Sequence, residues 1–133
     1  MKIVFLAARL LLGLIFFVIG LNGFLWFMPA PPLTGFPAEW QTVVVGSHFI
    51  WFTSGVQVIC GIMLLTNQYV PLALVVLGAV LSNILVFHIT MLPSGLPLAL
   101  LTTAIWVVAC LPYRSHFAQL FARTVPLETS PKP

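Results

Sequence analysis

Charge is what this sequence has least of. Five Lys or Arg and two Asp or Glu make up 5% of its 133 residues. A water-soluble domain carries about a quarter charged residues, so this chain cannot cover a water-facing surface. That excludes a soluble enzyme. It also excludes a nucleic-acid binder, because a net charge of +3 from scattered residues forms no basic patch. Disorder is excluded in turn, since disordered chains are poor in apolar residues and 61% of this one is hydrophobic. Cysteine is scarce as well. Cys60 and Cys110 show no Cys-x-x-Cys spacing, which leaves neither a disulfide scaffold nor thiol exchange with a quinone. No carboxylate falls inside an apolar run, which argues against a proton-driven transporter built on a buried Asp or Glu. Metal-ligand clusters, phosphate-cradling glycine loops and catalytic triads are absent too.

Long apolar runs are what the sequence has in abundance. A helix needs about 20 apolar residues to cross a hydrocarbon core of about 30 Å. Four runs fit: 3–28, 42–66, 70–92 and 96–111. Each has to be helical, because lipid offers no partner for open backbone groups. The sequence therefore predicts an all-α protein, a four-transmembrane-helix bundle over residues 1–112. The first run is too long for a cleaved signal core of about 7–15 residues, so it counts as a span.

Proline and turn residues mark the breaks. Pro29-Ala30-Pro31-Pro32 stops the first helix and starts an extended loop to about Trp40. Asn67-Gln68-Tyr69 forms a tight turn, and Pro71 suits the first turn of the next helix. Pro93-Ser94-Gly95 forms the third turn, and Pro97 opens the last span, which Pro112 closes. Beyond it, Tyr113, Phe117, Leu120 and Phe121 share a face, which reads as a short C-terminal interfacial helix, followed by a flexible tail from Val125 to Pro133.

Orientation follows from Lys and Arg. Lys2 and Arg9 flank the first span, Arg114, Arg123 and Lys132 follow the last, and the first loop holds only Glu39. Both N- and C-termini are expected to be cytoplasmic. Trp26 and Trp40 then mark the outer interface, with Tyr69 and Tyr113 at the inner one. Small residues spaced by seven, Gly13 and Gly20 on the first helix and Ser47, Ser54 and Gly61 on the second, offer sites of close helix approach. Gly78 and Ser82 offer another on the third.

Polar side chains at depth need a partner or a purpose. Asn22, Asn83 and His88 could line a pocket for a polar head group such as a quinone ring; alternatively, they make interhelical hydrogen bonds that fix the bundle, the reading favoured for the two asparagines. His48 and His88 fall at similar depth and could ligate a haem iron or a chlorophyll magnesium, although neither sits in a supporting ligand motif. Arg9 could reach Gln57 or snorkel to cytoplasmic head groups, and the second is favoured. Cys60 and Cys110 read as packing residues.

Three segments together resemble the DoxX family of small bacterial membrane proteins. They are residues 8–24, from Ala8-Arg9 to Leu21-Asn22-Gly23-Phe24, with the Pro-rich loop behind it; Gly55-Val56-Gln57-Val58-Ile59-Cys60-Gly61 leading into Tyr69-Val70-Pro71; and Ser82-Asn83-Ile84-Leu85-Val86-Phe87-His88 leading into Pro93-Ser94-Gly95-Leu96-Pro97. The resemblance implies a four-helix membrane bundle with Arg9, Asn22, Asn83 and His88 as its polar core. It also implies redox association, since the family name is linked to a thiosulfate:quinone oxidoreductase and some relatives join membrane oxidoreductase assemblies. Relatives often carry Glu where this chain has Gln57, and another acid near Ile105-Trp106; both are missing here. That departure favours an accessory or structural subunit of a redox-linked complex, touching lipid, other membrane subunits and a quinone. The alternatives are a stand-alone quinone-linked oxidoreductase and a haem b or chlorophyll carrier.

Overall fold

The structure is a computed structural model that describes residues 1–30 and 32–125. Among these residues every regular element is helical. The long helices are α1 (Lys2–Leu25), α3 (Phe49–Leu65), α4 (Val70–Thr90) and α5 (Leu96–Cys110), with the shorter α2 (Phe36–Gly46) and α6 (Arg114–Ala118) between and after them. Single 3₁₀ turns precede α5 and flank α6. Pro71, Pro93 and Pro97 sit in first turns, where a missing N–H costs nothing.

Residues in left-handed conformation punctuate the chain. Trp26 ends α1 at φ 53°, while Asn67 and Tyr69 shape the α3–α4 turn at φ 59° and 49°. Side chains other than Gly, Asn and Asp adopt this region at a cost of about 1–2 kcal/mol.

The four long helices close a ring. α1 packs against α3 and α5, and α4 packs against the same two helices. The α1–α3 contact is the closest, and glycine is the reason. A Cβ on Gly61 would lie 2.8 Å from the Phe17 nitrogen and 2.9 Å from the Gly13 carbonyl oxygen. A Cβ on Gly20 would lie 2.8 Å from the Ser54 carbonyl oxygen. The seven-residue spacing of small residues thus does bring these two backbones together, antiparallel; Ser47 alone of that series stands apart, at a bend. Gly78 serves α4 and α5 the same way, leaving room for the Trp106 ring.

Leu12, Phe16, Leu64, Ala73, Leu74, Leu77 and Ala109 are buried almost completely. Together they form a core displaced toward the α3–α4 turn, with Tyr113 and Phe117 packed on it. The outside is as apolar as the inside: Ile3, Leu14, Val86, Ile89, Leu98 and Leu101 each expose half their surface or more. A soluble monomer rarely shows so much contiguous apolar surface. Lys2–Leu25, Val70–Thr90 and Pro93–Phe121 are each long and apolar enough to cross a membrane, and α2 with α3 would make a fourth as one bent span. The chain is thus consistent with a multi-pass membrane protein.

The second run departs from expectation. Instead of one helix over 42–66, two helices meet at 83°. His48 takes a left-handed conformation at φ 61°, and the Ser47 Oγ accepts a 3.4 Å hydrogen bond from the Phe49 N–H. Gly-Ser pairs are common kink sites, and here Gly46-Ser47 precedes the turn. The extended loop expected up to Trp40 is helical from Phe36 onward, because Gly35 (φ 67°) turns the chain and Pro37 opens α2. Phe36, Trp40 and Val43 lie exposed along one face of α2. After Pro112 the chain runs on in helical turns, and Pro93–Phe121 forms one apolar helical stretch of 29 residues. Tyr113 and Phe117 of the expected interfacial face pack on the core, while Leu120 and Phe121 are exposed. Apart from Val125, the expected tail lies outside the described residues.

Candidate functional site

Asn22, Asn83 and His88 are each engaged by their own stretch of chain. Asn22 is half-buried near the end of α1, and its Oδ1 accepts a 2.7 Å hydrogen bond from the Met28 N–H. This holds the backbone just after the helix has lost its own partners. His88 sits in the last turn of α4, just before the α4–α5 connection. Its Nδ1 lies 3.1 Å from the Leu92 carbonyl oxygen, which fits a protonated Nδ1 as donor. Its ring also fills the space beside Gly95, where an added Cβ would overlap the imidazole. His88 is therefore a buttress of the 93–95 turn.

Asn83 requires a correction. Expected to face inward, it is exposed on the outer side of α4, and its Nδ2 donates 3.0 Å back to the Ala79 carbonyl oxygen. The helical period decides this. Leu74, Leu77 and Leu81 occupy the buried face of α4, and position 83 lies well away from it around the helix.

The two histidines offered as haem or chlorophyll ligands have different neighbours. His48 is exposed at the α2–α3 bend, with its ring edge-on to Trp51 at 4.5 Å. His88 stacks edge-on to Phe87 at 5.3 Å. Among the described residues no three His, Cys, Asp or Glu side chains gather into a metal-sized group.

Gln57 and Arg9 stand apart from one another. Gln57 is half-buried in α3, and its Oε1 is enclosed without a hydrogen-bond partner among the described residues. Arg9 reaches the α3–α4 turn, where its Nη1 donates to Asn67 Oδ1. The partner Arg9 makes is thus the Asn67 amide rather than Gln57. Its Nε is enclosed and has no acceptor among the described residues.

Arg9 also borders a hollow of about 220 Å³ at that end, lined by Lys2, Phe5, Leu6, Arg9, Pro112 and Tyr113. A second hollow, of about 310 Å³, runs along the α5–α6 face past Trp106, Cys110, Arg114, Phe117 and Phe121. Both cysteines are free thiols, Cys60 buried and Cys110 half-buried in the core.

Sequence reasoning missed several of these features. Asn67 read only as a turn residue, although its amide is what meets Arg9. Lys2 and Arg9, seven residues apart on α1 and so on one face, were read for orientation and not as a pair. Trp106 donates from Nε1 to the Leu74 carbonyl oxygen at 2.8 Å, tying α5 to α4. Its position opposite Gly78 becomes legible only once the helices are paired.

Comparison with protein-family models, curated proteins and solved structures returned no match to this chain.

Proposed function

We propose that this chain is a bacterial inner-membrane subunit with an accessory or structural role in a redox-linked membrane complex. It crosses the bilayer four times, with both termini cytoplasmic. Asn83 is the observation that carries the subunit role. Its amide is exposed partway along α4, and among the described residues only Nδ2 has a partner, within the same helix. An amide oxygen left in hydrocarbon is costly, whereas membrane helices use such groups to bind one another, at about 1 kcal/mol a pair. The face around it favours close approach: Ala79 and Val86, about one turn away on either side, are exposed with Asn83, and Ala79 is small. A neighbouring membrane helix is therefore the fitting occupant. The redox association rests on the resemblance to the DoxX family. The Asn22 Oδ1 and the His88 Nδ1 are engaged locally, so the quinone contact is assigned first to the outward amide of Asn83.

Purification from membranes in mild detergent tests this. The wild-type chain should migrate with a larger assembly, and Asn83→Leu should shift it to the free form. The helical spectrum should be unchanged, because the lost bond lies within one helix. A wild-type chain that migrates alone, or an Asn83→Leu chain that stays in the assembly, contradicts the proposal.

A further inference from the structure

The hollow between the start of α1 and the end of α5 has the chemistry of an anion site. Two cations, Lys2 and Arg9, line it together with Tyr113, and Phe5, Leu6 and Pro112 form its apolar walls. Its volume of about 220 Å³ holds several water-sized groups.

Charge around it is unbalanced. Glu39 is the only carboxylate side chain among the described residues, and it lies on α2, after the end of α1 opposite the hollow. Arg9 has one described partner, the neutral Asn67 amide, and its enclosed Nε has none. That bond fixes the guanidinium at the edge of the hollow but does not neutralise it. A planar guanidinium held this way is preorganised for a phosphate, which it binds through charge-assisted hydrogen bonds. Lys2 adds a mobile point charge, and the Tyr113 hydroxyl is a further donor. Arg114 follows Tyr113 and raises the positive potential at the same end.

We propose that this hollow binds a phosphate-bearing anion, with Arg9 and Lys2 as the charged contacts and Tyr113 as a neutral one. Basic pockets between membrane helices on the cytoplasmic side suit anionic lipid head groups, and the apolar walls suit the glycerol and first methylenes below one. Free phosphate offers the same oxygens without the tail. The inference rests on membrane residence and is independent of any partner subunit.

Native mass spectrometry of the full chain in neutral detergent separates the sources. Phosphatidylglycerol should form a discrete adduct that phosphatidylcholine does not form. Lys2→Gln should weaken it about fivefold, the effect of about one basic contact. Arg9→Gln should weaken it about tenfold or more. Should Arg9→Gln fail to fold, the exposed Lys2 and Tyr113→Phe still report on the site. An adduct that survives excess inorganic phosphate assigns the site to a head group; competition by inorganic phosphate alone assigns it to free phosphate. Equal binding of the two lipids, or an adduct untouched by the Lys2 and Arg9 substitutions, overturns the proposal. Loss of the partner assembly with the adduct intact would instead count against the subunit role alone.

Discussion

Replacing Gly61 by alanine is expected to loosen the whole bundle, although alanine is the better helix former. The added methyl would meet backbone, the Phe17 nitrogen at 2.8 Å and the Gly13 carbonyl oxygen at 2.9 Å. Backbone cannot rotate aside as a side chain can, so α1 and α3 must separate. Overpacking of this kind costs about 1–3 kcal/mol, against a propensity gain of at most about 1 kcal/mol. Gly61→Val should sit at or beyond the upper end. Gly55 provides the control on the same helix, because the nearest atom to its added methyl is the Phe24 ring at 3.9 Å. Gly55→Ala should therefore leave the midpoint of thermal unfolding in detergent unchanged or higher. The midpoint for Gly61→Val should fall by about 10 °C. Equal behaviour of the two positions would mean that α1 and α3 do not pack through glycine.

Trp106 should be the costliest side chain to remove from the α4–α5 contact. Its ring fills the space over Gly78, and its indole N–H reaches the Leu74 carbonyl oxygen at 2.8 Å. Trp106→Ala loses both the volume and the bond, an expected cost of about 3 kcal/mol. Trp106→Phe keeps most of the volume and loses the hydrogen bond, about 1 kcal/mol. The two losses are read from the same unfolding curves. A Phe variant as damaged as the Ala variant would place the energy in the hydrogen bond; two harmless variants would remove Trp106 from the joint.

Composition and hydropathy were enough to foresee an all-helical chain with several membrane-length helices, because lipid leaves the backbone so few choices. The small residues on α1 and α3 were legible for a related reason: a spacing of seven returns to the same helix face. Pro71 and Pro97 announced helix starts correctly. Pro37 carried the same signal after Gly35, but the prolines before it made the whole stretch read as loop. The bend at His48 was hidden because a left-handed histidine leaves no mark in hydropathy, and only Gly46-Ser47 hinted at it.

The polar residues were the least legible. Depth along a helix follows from counting, but the direction around it depends on which neighbours pack. Asn83 was placed at a plausible depth and on the wrong face. Asn22 and His88 were taken for parts of one pocket, whereas each secures the chain at a helix end. Arg9 was read as a charge at the inner end of the bundle; its link to Asn67 spans 58 residues of sequence and needs the fold to be seen.

Sidedness is the quantity on which the subunit role, the orientation and the anion site all depend. An impermeant maleimide applied to intact spheroplasts measures it, with single cysteines introduced by Thr34→Cys, Gln68→Cys, Ser94→Cys and Arg123→Cys. The native Cys60 is buried and Cys110 half-buried, so background labelling should be low. A four-pass bundle with cytoplasmic termini predicts labelling at positions 34 and 94 from outside, and at 68 and 123 only after lysis. Labelling of positions 34 and 123 from the same side would contradict it.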